Sequence, residues 1–191
     1  MMPLDRYPWS ERYAWIQDRY GVTWQLSYGK MEDVGQKFTP SLMFTGSKTG
    51  KAESAIGFYT SIFAPSSVVG IMRYEKGDGD QEGLVKHAQF KLGNSVLMAM
   101  DSSLAHGFEF NESISFVVAC DTQEQIDHYW ERLAEGGTEN RCGWLKDPFG
   151  VSWQIVPDVL NHLMSDPNQS PKVMEALMTM KKIDIGKLLY G

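Results

Sequence analysis

SISFVVACDTQEQIDHYWERLAEGGTENRCGWLKDPFGVSWQIVP, Ser113 to Pro157, is one complete folding unit written in order. Ile114 to Ala119 is a short run of β-prone side chains. Thr122 follows with Gln125 three residues on, the spacing at which a hydroxyl and an amide reciprocally cap the first turn of a helix. Ile126, Tyr129, Trp130 and Leu133 then recur three and four apart, which predicts a helix with one buried stripe. Gly136 and Gly137 can end that helix with a left-handed cap. A weakly signalled strand over Thr138 to Cys142 and a hairpin over Trp144 to Val156 complete a βαβββ unit.

Working back toward the N-terminus, the same order appears from Phe38. Pro40 to Phe44 reads as a strand, and Ala52, Ala55, Ile56, Tyr59, Ile62 and Phe63 fall at helical spacing. Val68 to Tyr74 is a second strand, and a Gly/Asp loop occupies Gly77 to Gly83. Val85 to Leu92 and Ser95 to Met100 are joined through Gly93-Asn94, a hairpin-turn pair. The fold class expected is therefore α+β, with paired βαβββ units over residues 35–157 forming a curled mixed sheet. Beyond Pro157 the pattern becomes helical: Val159 to Met164, then a helix opened by Ser170-Pro171 and carrying Val173, Met174, Leu177 and Met178. Residues 158–191 read as a C-terminal helical extension.

WIQDRYGVTWQLSY, Trp15 to Tyr28, aligns with WLKDPFGVSWQIVP, Trp144 to Pro157, at a fixed offset of 129 (144 minus 15). Trp, Asp, Gly, Val, Trp and Gln recur at matched positions, and the other core positions exchange Ile with Leu or Thr with Ser. Each copy predicts a tight turn entering a strand, with Asp18 to Gly21 and Asp147 to Gly150 supplying the turn chemistry. An offset as long as a small domain makes residues 1–34 the expected closing hairpin of a preceding unit whose body precedes this sequence. Trp9, Tyr13, Trp15, Tyr20, Trp24, Leu26 and Tyr28 give that hairpin much aromatic surface to bury. A two-stranded hairpin is marginal alone in water, so the segment is expected to be ordered and to find a partner, with a homodimer as the outcome.

Composition narrows the function. The 191 residues carry 42% hydrophobic side chains and six Trp, enough for a packed core. A net charge of -6 argues against a nucleic-acid surface, which depends on clustered Lys and Arg. No run approaches the roughly 18 apolar residues of a membrane helix, and residues 1–30 lack an apolar signal core, so a cytoplasmic protein with no membrane partner is expected. Cys120 and Cys142 belong to no metal or redox spacing and read as free thiols.

Tandem βαβββ units resemble the vicinal oxygen chelate superfamily, which includes glyoxalase I, extradiol dioxygenases and the fosfomycin and bleomycin resistance proteins. Phe108 to Trp130, FEFNESISFVVACDTQEQIDHYW, and Gly143 to Leu160, GWLKDPFGVSWQIVPDVL, are similar to its PhnB-like members, a group that carries the label 3-demethylubiquinone methyltransferase. That resemblance implies a cup-shaped sheet in which catalytic relatives hold a divalent metal on His, Glu or Gln. Carried onto this chain, the ligand positions fall at Thr39, near Met98, at Ser113 and at Gln154, of which Gln154 alone is a possible ligand. No metal and no other cofactor is therefore expected. The methyltransferase label finds no support in the residues, since no glycine-rich turn leads from a strand into a helix. Gly77, Gly79 and Gly83 lie among Asp78, Asp80 and Glu82, which would repel a phosphate.

A metal-free cup suits a small-molecule ligand held by an apolar lining with a few polar groups. Met98, Met100, Phe116, Trp144, Trp153 and Gln154 are the expected ligand-binding residues. His87, on a strand with one face toward the cup, is the candidate catalytic residue because imidazole titrates near neutral pH. The function expected is metal-independent binding of a small molecule. Two alternatives stand beside it: a metal-dependent lyase, isomerase or dioxygenase using His87, Gln154 and Glu109, and an assembly module with a vestigial cup.

Overall fold

Period-two alternation in the strands and helical spacing between them produce two kinds of sheet. The computed structural model describes residues 1–30, 32 and 35–190, and it divides into two compact units, Met1–Pro40 and Ser41–Gly191.

In the first unit, β1 (Met2–Tyr7), β2 (Ser10–Gln17) and β3 (Thr23–Ser27) form an antiparallel sheet in that order. The expected hairpin is the β2–β3 pair, and β1 is an additional strand that the repeat did not announce. Trp15 pairs with Gln25 and Gln17 with Thr23.

In the second unit, the first βαβββ half comprises β4 (Ser41–Phe44), α1 (Ala52–Ile62), β5 (Ser66–Arg73), β6 (Val85–Leu92) and β7 (Ser95–Asp101), in sheet order β4-β7-β6-β5. The second half comprises β8 (Ser115–Cys120), α2 (Gln123–Ala134), β9 (Thr138–Glu139), β10 (Trp144–Lys146) and β11 (Ser152–Pro157), in order β8-β11-β10-β9. Each half pairs its first and last strands in parallel and the others antiparallel, so both sheets are mixed. The strand expected over Thr138 to Cys142 is confined to Thr138–Glu139, and the chain then turns, with the Trp144 amide donating to the Arg141 carbonyl and Cys142 at a left-handed φ of 58°.

Capping chemistry starts both helices. Thr122 Oγ1 accepts from the Gln125 amide as the N-cap, while Gln125 Oε1 reaches back one residue further than a reciprocal cap requires and accepts from the Asp121 amide. For α1 the cap comes from far along the chain. Asp101, buried at the end of β7, accepts from the amides of Gly50 and Ala52 through Oδ1 and from Val85 through Oδ2. One carboxylate thus fixes the helix start to the last strand of the same half.

A single core joins the halves. Tyr59 of α1 packs against Phe90 of the first sheet and Trp153 of the second, with ring centroids 6.5 and 5.4 Å away. Phe63 stacks on Tyr129 and Trp153 at 5.0 and 5.5 Å. Burying a ring of this size contributes about 1.5–3 kcal/mol, so this aromatic seam is a principal tie between the halves.

After β11, α3 (Val159–Ser165), α4 (Ser170–Thr179) and α5 (Ile185–Tyr190) gather around Leu163, Val173, Leu177, Met180, Ile183 and Leu188. Ser170 is the first helical residue of α4 rather than its cap, and Gln169 holds the cap position. The layer is anchored where Cys142 and Gly143 donate to the carbonyls of Met180 and Lys181.

Candidate ligand-binding site

Strand parity gives each sheet of the second unit one face covered by its helix and one open face. In β6 the buried residues Ala88 and Phe90 join the core around α1, which leaves His87 and Gln89 on the open face. Gln89 pairs with Met98, Met98 with Ser41, and Met43 with Met100, so a methionine-rich strip crosses the open face of the first sheet. His87 pairs with the exposed Met72. Neighbouring protein atoms desolvate the His87 ring and push its pKa below the ordinary histidine value, although the residue remains solvent-accessible.

The second sheet carries the more polar face. Val151, just ahead of β11, and Trp153 and Ile155 within it are buried in the core, so Ser152 and Gln154 point the other way. Register extends that face into two rows. Thr138 pairs with Lys146, Lys146 with Ser152, and Ser152 with Ser115, a row of hydroxyl, ammonium, hydroxyl and hydroxyl across four strands. The next row is Trp144, Gln154 and Val117. Gln154 Nε2 donates to Ser115 Oγ at 2.8 Å, linking the rows.

A cavity of about 230 Å³ opens on this face, lined by Glu112, Thr138, Asn140, Trp144, Leu145, Lys146 and Ser152. Lys146 forms an ion pair with Glu112 at its edge, and this contact holds the Glu112 carboxyl below its usual pKa. Ser152 is 1% exposed and its hydroxyl has no hydrogen-bond partner. Buried hydroxyls are normally paired, at a cost of about 1–3 kcal/mol when they are not, so this one is poised for a group entering the cavity.

Of the residues expected from sequence, His87, Met98 and Met100 lie on the open face of the first sheet, and Trp144 and Gln154 on that of the second. Phe116 and Trp153 do not line an open face, and both assignments are corrected. Trp153 is 3% exposed, packs on Tyr59 and Phe63, and donates its indole N–H to Asp147 Oδ2 at 2.8 Å. Phe116, its cross-strand neighbour, lies against it at 5.1 Å. The physical reason is parity: Trp153 and Gln154 are consecutive in a strand and cannot share a face. Sequence reasoning missed Lys146, Ser152, Thr138 and Glu112. The signal was available for two of them, because placing Trp144 and Gln154 on the open face also places Lys146 and Ser152 there.

The divalent metal that the fold resemblance implies does not fit the residues present. Met98 offers a thioether, Ser113 a hydroxyl ahead of β8, and Gln154 a neutral amide whose Nε2 donates to Ser115. Thr39 precedes β4, in the Met1–Pro40 unit. None brings a charge to offset a hard cation. Among the described residues no group of three His, Cys, Asp or Glu side chains is disposed to hold a metal ion. Glu109 instead accepts from the Ser47 amide beside Gly46.

The turn entering β11 repeats, bond for bond, the turn entering β3. Asp147 Oδ1 accepts from the amides of Phe149 and Val151 and Oδ2 from the Trp153 indole; Asp18 Oδ1 accepts from Tyr20 and Val22 and Oδ2 from the Trp24 indole. The surroundings differ. Asp147 also accepts from the Tyr59 hydroxyl at 2.7 Å and is buried, and desolvation raises its pKa despite these donors. Asp18 is only partly buried, and its bond from Trp24 leads the effects that lower its pKa.

A family model described as 3-demethylubiquinone-9 3-methyltransferase matches residues 36–156. A PhnB protein from Bacillus cereus is 40% identical, with 64% of this chain and 99% of that chain covered and a TM-score of 0.59. Protein PA1353 from Pseudomonas aeruginosa is 22% identical over 64% of this chain and 97% of its own, with a TM-score of 0.55. The fosfomycin resistance protein FosX from Mesorhizobium loti is 14% identical over 69% and 98%, with a TM-score of 0.46. No match is found among curated proteins.

Proposed function

Because the chain belongs to the family described as 3-demethylubiquinone-9 3-methyltransferase, the PhnB-like branch of the vicinal oxygen chelate superfamily, we propose that it binds a small molecule on the open face of its second sheet without a metal. The observation that carries this reading is the cavity lined by Lys146, Trp144 and Ser152, whose Ser152 hydroxyl has no hydrogen-bond partner. Its volume, about 230 Å³, lies below the roughly 300–1,000 Å³ of drug-sized pockets, so the ligand is small. Methyl transfer is not part of the proposal. The loop bearing Gly77, Gly79 and Gly83 joins the antiparallel strands β5 and β6, not a strand to a helix, and so does not supply a phosphate cradle at a helix N-terminus.

A homodimer belongs to the same reading. Val117, in the open-face row with Gln154, is 60% exposed, Ile114 just ahead of β8 is 61% exposed, and burial of such apolar area contributes about 25 cal/mol per Å². The Met1–Pro40 unit adds exposed Leu4, Trp9, Trp24, Leu26 and Tyr28, a surface suited to assembly.

The test is a small-molecule fragment screen followed by amide and indole chemical shifts of the full chain, with and without a chelator. Saturable shifts at Trp144, Lys146 and Ser152 that survive the chelator are expected. Shifts that vanish with the chelator would replace this reading with a metal-dependent one. The observation favouring that second reading is His87, whose lowered pKa keeps an accessible imidazole neutral and available as ligand or base. It requires stoichiometric metal in protein purified without chelator, lost in His87→Ala.

A further inference from the structure

Given the small-molecule site above, we propose that its ligand carries a single carboxylate, received by the cross-strand row Thr138, Lys146 and Ser152, with the body of the molecule lying along Trp144. The row is rich in donors. Lys146 presents three N–H bonds, the Thr138 and Ser152 hydroxyls present one each, and an ionised carboxylate is an acceptor with about four lone-pair sites. Lys146 is the direct cross-strand partner of both Thr138 and Ser152, so its flexible ammonium lies between the two hydroxyls, each at the close spacing of about 4.5–5.5 Å between paired Cβ atoms. The unpaired Ser152 hydroxyl gains its missing partner when such a group enters.

Charge decides between oxyanions. Among the described residues that line the cavity, Lys146 is the sole cation and Glu112 the sole anion. A monoanion is matched by Lys146 once Glu112 turns away, whereas a dianionic phosphate would keep one charge uncompensated in a partly enclosed site. Glu112 is free to turn: its side chain is 58% exposed and that of Lys146 37%, and exposed ion pairs of this kind are easily exchanged. Glu112 therefore acts as a competing carboxylate that the ligand displaces.

The probes are acetate, pyruvate and benzoate, each set against its neutral amide, titrated into the full chain and followed by amide and indole chemical shifts. At least one carboxylate is expected to shift Thr138, Lys146, Ser152 and Trp144 saturably, and to bind roughly ten-fold more tightly than its amide, since the net gain from a hydrogen bond to a charged group exceeds that from a neutral one by about this margin. Lys146→Met should erase that preference, Ser152→Ala should weaken the carboxylate several-fold, and Glu112→Gln should strengthen it by removing the competitor. Unchanged melting temperatures in the three variants show that the fold is intact. An amide that binds these residues as tightly as its acid would overturn the carboxylate assignment while leaving the small-molecule site standing. Carboxylates that shift none of them would also overturn the assignment, and the fragment screen then judges the site separately.

Discussion

Replacing Asp147 by Asn tests whether the aspartate that closes the β10–β11 turn is a structural keystone only where the fold buries it. In the protein, Oδ1 serves two backbone amides and Oδ2 serves the Tyr59 hydroxyl and the Trp153 indole. An asparagine oxygen can keep the two amides, but its NH2 then faces two donors. The Tyr59 hydroxyl can rotate to accept; the indole N–H can only donate and loses its acceptor. One buried donor left unpaired costs about 1–3 kcal/mol, so Asp147→Asn should destabilise the chain by about 2 kcal/mol. Asp147→Ala, which strands all four donors, should cost about 4 kcal/mol or more. Asp18→Asn likewise keeps the two amide bonds and loses only the acceptor of the Trp24 indole, in a turn open to water that can replace it, and should be indistinguishable from wild type. Urea unfolding followed by far-ultraviolet circular dichroism measures all three. The pH dependence has a definite sign. Burial raises the folded pKa of Asp147 above the unfolded value of about 3.9, so the native state takes up its proton first. Its contribution to stability is complete below the unfolded pKa and falls as pH rises through the folded one. Asparagine does not titrate, and the wild-type advantage should be wider at pH 4 than at pH 7. Equal losses for Asp147→Asn and Asp18→Asn, or an advantage that widens with pH, would refute the reasoning.

His87→Ala should leave the unfolding free energy within about 0.5 kcal/mol of wild type, since the side chain is accessible and outside the core; a large loss by the same urea assay would make His87 structural. Its lowered pKa predicts that the imidazole titrates below about 6.5 in a proton NMR series, and that the stability tied to it is lost as pH falls from the unfolded pKa toward the folded one. Gly143→Ala should cost about 2–4 kcal/mol in calorimetric unfolding: its φ is +80°, and an added Cβ would meet the Ile155 carbonyl at 2.6 Å and Ile183 at 2.9 Å. A variant as stable as wild type would show that the anchor of the C-terminal helices tolerates a side chain. Deleting residues 1–34 should turn a dimer into a monomer or an aggregate by light scattering, and a shortened chain that stays dimeric with the same melting temperature would remove the N-terminal sheet from the assembly.

The sequence by itself determined what local chemistry controls. Helical spacing around Ile56 and Tyr59 and around Ile126 and Trp130 located α1 and α2, and the Thr122/Gln125 spacing located a cap that the structure forms. Likewise, the Asp-to-Trp spacing shared by Trp15 to Tyr28 and Trp144 to Pro157 fixed two turns with the same hydrogen bonds, because every partner lies within six residues. Tertiary structure decided everything that depends on distant neighbours. Identical turns give Asp18 a lowered and Asp147 a raised pKa because only Asp147 is covered by Tyr59, from 88 residues away. Trp153 and Phe116 were legible as strand residues, but which face looked at the core depended on α1 and on the aromatic seam. The row Thr138, Lys146, Ser152 and Ser115 exists through register between four strands, one of them two residues long. A side chain's periodicity is written in its own segment, whereas its burial and its cross-strand partners are properties of the whole packed chain.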